Sequence, residues 1–302
     1  MKVAVIINPV SGRGATHARA LKRAEQARAH LARRGVVAQV VITERPQHAH
    51  GLAALAVAGG ADVVAAWGGD GTMNEVASAL AGSPVALGLV PGGSGNGLAR
   101  DLGIPLGAEA ALDVLVDGHN RAIDYGVLDG RSFFNVAGLG FDARVAAEFQ
   151  ARGGRGLVSY VARAARALLT PGSVACRIEA GAEALQVNAL LVAFANSRQY
   201  GNDVLIAPEA RLDDGAMHIV VIPARPFAWL VRHVPRLLAG TVHQVPGVTT
   251  VRCAEALVES EGPIAYHVDG EPHTGGSRLR LETRPAALRV RVPAGLQAPR
   301  PQ

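Results

Sequence analysis

Val63-Val64-Ala65-Ala66-Trp67-Gly68-Gly69-Asp70-Gly71-Thr72 is an apolar run that ends in glycines, an acid and a hydroxyl, and the helical pattern Met73–Leu80 follows it. A strand running into such a turn and then a helix is a phosphate-handling device. Glycines let backbone N–H groups approach a polyphosphate, and the helix N-terminus attracts negative charge. Asp70 is the odd member, because a carboxylate beside phosphates repels them unless it holds a metal or a proton. The combination points to nucleotide chemistry rather than passive anion binding.

The same grammar repeats on either side. Val3–Ile7 reads as a strand, the turn Asn8–Gly14 follows, and a helix is expected over about 16–34. Further strands are expected at Val36–Ile42 and Val85–Val90, and helices at Ala49–Ala58 and Met73–Ala81. Pro91–Gly97 makes a third glycine-rich turn and opens a short helix near Leu98–Leu102. Taken alone, Asn8–Gly14 is as consistent with an ordinary turn. Three such loops on successive strand ends of one sheet form a more specific signal. Alternation of strand and helix argues for an α/β unit with a mostly parallel sheet, whose ligands bind at the C-terminal strand ends.

After Asp124 the texture changes to short β-rich pieces, including Phe133–Gly138, Ala189–Ala195, Met217–Ile222 and Ile264–Val268. Helical stretches interrupt them at about 142–170 and 226–238. This suggests an antiparallel, sandwich-like second domain, so the division expected is 1–124 and 125–297, with the extreme C-terminus packing back on the first domain. Two acidic clusters stand out, Asp213-Asp214-Gly215 and Asp269-Gly270-Glu271. Each reads as a hairpin turn by itself. Phosphoryl transfer, however, needs a carboxylate to accept the acceptor's proton.

The bulk numbers set bounds. The chain has 302 residues, 49% hydrophobic and 18% charged, enough to bury a proper interior and too apolar for disorder. Thirty Lys and Arg against 25 acids give a formal charge of +5, which fits an anionic partner without selecting one. Two cysteines, Cys176 and Cys253, are too few for a disulfide framework or a zinc site, and a reducing compartment is expected. The apolar stretch Gly51–Gly69 is split by Gly59-Gly60-Ala61-Asp62 into helix and strand, and is not a membrane span. No basic run with interleaved aromatics suggests a nucleic-acid partner.

With Asn8–Gly12 upstream and Gly93–Arg100 downstream of Gly68–Thr72, the chain resembles the diacylglycerol kinase catalytic-domain family of lipid kinases. The likeness also takes in Phe134-Asn135-Val136-Ala137-Gly138-Leu139-Gly140-Phe141-Asp142-Ala143, Asn196, Gly201, Pro208, Asp214-Gly215 and Asp269-Gly270-Glu271. It implies a Rossmann-like nucleotide-binding domain, a β-rich lipid-substrate domain, and an active site in the cleft between them. ATP would lie over Asn8, Pro9, Ser11, Gly12, Thr43, Gly68, Gly69, Asp70, Gly71, Thr72, Asn74 and Ser94. Asp70 would act with magnesium, and Glu271 would be the general base for a lipid hydroxyl. Asp214, with main-chain oxygens of Arg211 and Ala216, would hold a second, structural magnesium. The third loop has Gly97 where bacterial diacylglycerol kinases carry an acid, and its Gly-Ser-Gly-Asn form resembles the sphingosine-kinase branch.

The resemblance implies a cytoplasmic enzyme, peripheral at the inner membrane face, acting on a neutral lipid alcohol, with a homodimer left open. Arg152, Arg155, Arg163 and Arg166, set among apolar residues in 151–169, suggest docking on an anionic bilayer, although an ordinary half-buried helix reads the same way. Two other readings remain: a kinase of the NAD kinase type, which shares Gly-Gly-Asp-Gly-Thr, and a non-catalytic nucleotide- or lipid-binding protein.

Overall fold

Four parallel strands carry the first unit in the computed structural model, which describes residues 1–12, 14, 16–152, 172–201 and 204–295. They are β1 (Lys2–Ile7), β2 (Val37–Ile42), β3 (Val63–Gly68) and β4 (Ala86–Pro91), joined through helices α1 (His17–Arg33), α2 (His48–Ala58) and α3 (Asp70–Leu80). β1 lies between β2 and β3, and β4 pairs with β3. Every residue of β3 is buried, as are Val3–Ile7 of β1, which is why these strands read as continuous apolar runs rather than alternations. α4 (Gly97–Asp101) and α5 (Ala108–Asp117) complete the helices of this unit. Leu31, Leu80, Leu87, Leu98, Leu102 and Leu112 fill its core, each nearly inaccessible to water.

Helix α3 begins at Asp70, three residues before the expected start, with Gly69 as its cap. The Asp-Gly-Thr segment is therefore the first helical turn rather than a loop. A first turn tolerates Gly71 because its N–H groups need no helical partner, and the acid at Asp70 suits the positive end of the helix. Glu75 on α3 accepts from the N–H groups of Gln47 (3.2 Å) and Ala49 (2.9 Å), so it caps α2, which has no side-chain cap of its own.

The second unit spans Asp124–Ala286, and residues from Ala287 onward return to the first unit. Its strands are β5 (His119–Leu128), which enters from the first unit, β6 (Arg131–Phe133), β7 (Val136–Gly140), β8 (Val174–Ala180) and β9 (Glu183–Ala195). The short pair β10 (Gln199–Gly201) and β11 (Val204–Leu205) follows, then β12 (Met217–Pro223), β13 (Thr249–Cys253), β14 (Glu255–Glu259), β15 (Ala265–Val268), β16 (Glu271–Thr274) and β17 (Arg278–Val292). The antiparallel order runs β16-β15-β7-β9-β8-β14-β17, with β12 joining β9 to β13. Among the described residues two α-helices accompany it, α6 (Phe141–Arg152) and α7 (Phe227–Leu238). Phe133, Phe194, Tyr266 and Leu279 sit in its main core. The second half of β17 adds a fifth parallel strand to the first unit, at Arg289↔Ala86 and Val290↔Leu87.

Asp124 is 1% exposed. Its carboxylate accepts from the N–H groups of Gly215 and Ala286, both at 2.6 Å, tying three distant segments of the second unit together. No helix among the described residues is long and apolar enough to cross a membrane. Most of the basic stretch 151–169 lies outside the described residues. Both cysteine thiols are buried, and burial pushes each up to about 11, so neither is a ready nucleophile.

His218 on β12 is 5% exposed, and neither ring nitrogen has a hydrogen-bond partner among the described residues. Burial holds it below the ordinary histidine value, with Asp214 and Glu209 opposing the shift and Arg252 assisting it. The unfolded chain then binds a proton that the folded chain refuses, so folding stability falls as pH drops below the ordinary value near 6.5. His218→Phe keeps a planar ring and removes the titration. Urea midpoints at pH 5.5 and 7.5 should differ less in the variant than in the wild type. Equal differences would show that His218 is not the titrating group.

Candidate active site

The three glycine-rich loops of the first unit are laced to one another. Asn8 donates through Nδ2 to the Thr72 hydroxyl at 2.8 Å, joining the first loop to the second. Its Oδ1 accepts from the N–H of Val10 at 3.0 Å, and its own N–H donates to Trp67 O. The second and third loops meet where the N–H of Gly92 donates to Gly68 O at 2.7 Å. The Asp70 carboxylate strengthens that junction by accepting from the N–H groups of Asn96 and Gly97, each at 3.0 Å. A Cβ on Gly93 would come within 2.6 Å of Gly69 Cα, and one on Gly12 within 2.6 Å of Gly92 O, so both positions require glycine.

This arrangement gives Asp70 a structural part in addition to the one expected of it. Both of its oxygens are engaged by amides of the third loop, so it stitches two glycine-rich loops together. Removal from water holds its carboxyl above the ordinary carboxylate range, and the Asn96 and Gly97 amides pull it back. Gly71 is exposed on the first turn of α3, where backbone N–H groups have no helical partner and are open to an anion. Ser94 is exposed at the tip of the third loop. Thr43 is 7% exposed, and its N–H donates to Ile7 O, which sets it beside the first loop. Ser11 is buried, with its carbonyl accepting from Arg23, whose guanidinium lies 5.9 Å over the Trp67 ring. Pro9 and Asn74 are half-buried, the latter accepting from the Ser78 hydroxyl. A cavity of about 20 Å³ lies behind the loops, room for one water.

In the second unit, Asp214 already has a counter-charge. Arg252 Nε donates to its carboxylate at 3.0 Å and Nη2 to its main-chain oxygen at 2.8 Å. Arg211 faces Asp213 at 3.6 Å. Main-chain oxygens and a carboxylate are the right donor type for magnesium. No set of three His, Cys, Asp or Glu among the described residues forms a metal site.

Glu271 opens β16 and is exposed. It follows a tight hairpin turn in which Asp269 (φ +46°) and Gly270 (φ +84°) both take left-handed backbone, the requirement of a type I′ turn. The Asp269 carboxylate accepts from the N–H groups of Phe134 (2.9 Å), Asn135 (2.9 Å) and Val136 (3.1 Å). The two acids of this turn thus differ sharply: the Asp269 carboxylate is fully engaged, whereas no described residue donates a hydrogen bond to the Glu271 carboxylate.

A parallel α/β unit with interlaced glycine loops, followed by an antiparallel unit presenting a free carboxylate, is the layout of a phosphotransferase. Residues 2–128 match the diacylglycerol kinase catalytic domain, and residues 135–292 match the YegS C-terminal NAD kinase beta sandwich-like domain. A protein of Mycobacterium tuberculosis (strain ATCC 25618 / H37Rv) named diacylglycerol kinase is 33% identical over 302 residues, covering 97% of this chain and 95% of its own. One from Klebsiella pneumoniae (strain 342), named probable lipid kinase YegS-like, is 33% identical over 77% of this chain and 78% of its own. A crystal structure of a diacylglycerol kinase from Bacillus anthracis str. Sterne superposes with TM-score 0.72 at 18% identity, covering 98% of both chains. A second from that organism gives 0.80 at 21%, again over 98% of both, and these two establish the fold alone. The chain belongs to the diacylglycerol kinase catalytic-domain family and is an enzyme of the lipid-kinase class.

Proposed function

We propose that the enzyme transfers the γ-phosphoryl group of ATP to the hydroxyl of a neutral lipid, a diacylglycerol or a sphingoid base. The observation that carries this reading is the contrast among its acids. Asp70 and Asp214 are committed to structural bonds, and Glu271 is exposed and free to accept a proton. Phosphoryl transfer asks the protein mainly for positioning, charge neutralisation and a base on the nucleophile. The amides of the three loops and the first turn of α3 receive the phosphates. Asn8 and Thr72 fix the spacing of the first two loops, and Asp70 fixes the third. Magnesium would arrive with the nucleotide and neutralise phosphate charge. Glu271 takes the proton of the acceptor hydroxyl as it attacks the γ-phosphorus, and the γ-phosphorus bond to the leaving ADP oxygen breaks.

The lipid is inferred from the names of the relatives, and access from an anionic bilayer is part of the proposal. Radiolabelled ATP and MgCl2 offered with diacylglycerol, monoacylglycerol, sphingosine, ceramide, phosphatidylglycerol and NAD tests it directly. Label should enter diacylglycerol or sphingosine and disappear with EDTA. The NAD arm matters because the second unit matches a domain described as NAD kinase beta sandwich-like. Label in NAD alone, or ATP binding with no turnover on any acceptor, overturns the proposal.

A further inference from the structure

Beneath the Glu271 turn lies a buried polar couple that the reaction as described does not use. His267 on β15 and Asp142 at the start of α6 are each about 5% exposed, and His267 Nε2 lies 2.9 Å from Asp142 Oδ2. The Tyr200 hydroxyl donates to the same oxygen at 2.7 Å, and the other carboxylate oxygen accepts from the N–H of Ala143 at 2.8 Å. On its far side, His267 Nδ1 accepts from the N–H of Gly270 at 3.2 Å. A backbone N–H can only donate, so Nδ1 is the unprotonated nitrogen and the ring proton sits on Nε2, facing Asp142. The chain Tyr200–Asp142–His267 therefore ends on the amide immediately before Glu271.

The backbone has been shaped to admit this couple. His267 stands directly opposite Gly138 in the β7–β15 pairing. A Cβ on Gly138 would lie 1.9 Å from Asp142 Oδ2, so only glycine lets the carboxylate cross the strand to reach the imidazole. Burying a carboxylate and an imidazole adds little stability over an apolar pair of similar volume. A directional contact, however, fixes one orientation. Asp269 pins the turn to residues 134–136, and the His267 contact fixes its remaining corner, Gly270.

We propose that the Asp142–His267 couple is a positioning device that holds the Asp269–Gly270–Glu271 turn so that the Glu271 carboxylate meets the acceptor hydroxyl. His267 and Asp142 are positioning residues, and they act through Glu271. The inference rests on the reading of Glu271 as the base.

The two halves of the imidazole can be tested separately. His267→Gln retains a donor near the Nε2 position and loses the acceptor for Gly270. His267→Asn places an oxygen where Nδ1 lies and loses the contact to Asp142. With dioleoylglycerol and Mg-ATP, His267→Gln should lower kcat by about 10- to 100-fold while KM for ATP stays unchanged. His267→Asn should restore only part of that loss, because the acceptor for Gly270 returns while Asp142 no longer orients the side chain. Amide hydrogen exchange at Gly270 should rise in the Gln variant and stay slow in the Asn variant. Tyr200→Phe, which removes one support of Asp142 and leaves the ring in place, should lower kcat alone and serves if the Gln variant does not fold. Wild-type kcat in a folded His267→Gln, or in Tyr200→Phe where that is the folded variant, overturns the positioning role. So does equal impairment of the Gln and Asn variants, which would mark a packing defect. Glu271→Gln is run beside them. If it is inactive while the His267 variants are not, only the positioning role fails; if it retains turnover, the base assignment fails and this inference with it.

Discussion

Glu271→Gln is expected to leave the protein folded and to lower turnover by about 100- to 10,000-fold, the range that a general base contributes. The two halves of that expectation have separate causes. Glu271 is exposed at the start of an edge strand, and no described residue donates a hydrogen bond to it, so its loss leaves nothing unpaired. Glutamine matches its shape and cannot take a proton. KM for ATP should stay unchanged, because the phosphate loops belong to the other unit. The measurement is kcat on the lipid accepted best, with a melting curve alongside. Near-wild-type turnover in a folded variant would remove Glu271 from the mechanism.

Asp269→Ala has the largest expected effect on stability. Three backbone N–H groups, from Phe134, Asn135 and Val136, give their hydrogen bonds to this one carboxylate. Bonds to a charged acceptor contribute about 1.5–3 kcal/mol each, and three sharing one partner are less than additive. Alanine also fits poorly at φ +46°. A loss of about 3–6 kcal/mol is expected, a fall in melting temperature on the order of 10 °C or more. Asp269→Asn separates the causes, since asparagine accepts left-handed backbone and keeps one acceptor oxygen. It should melt between alanine and wild type. An alanine variant melting with the wild type would show that solvent satisfies those amides.

The first unit was largely legible because its signals are local. Apolar runs ending in glycine-rich turns announce buried parallel strands, and the three loops fall where β1, β3 and β4 end. What the pattern did not disclose was how the loops bind one another. Asp70 reads as a metal partner in sequence, and its further role as a clamp had no local signal, since its two amide donors lie more than two dozen positions away. The second unit was less legible. β14, β16 and β17 were absent from the reading. β16 contains Pro272 and β17 contains Pro285, and proline argues against a strand unless the strand lies at an edge or an irregularity. β16 is an edge strand, and Ala286, next to Pro285, has φ +49° at the point where β17 leaves β14 for β4. The Asp142–His267 couple had no sequence signal, because only the register of β7 against β15 brings Gly138, His267 and Asp142 together.

That route of β17 bears on how the protein is made. Pro84 accepts a hydrogen bond from Arg289, 205 positions further along. Until the ribosome has released the chain up to that strand, β4 shows a bare hydrogen-bonding flank, which invites pairing between nascent chains. Synthesis from the N-terminus cannot finish the sheet of the first unit until Arg289 and Val290 have emerged.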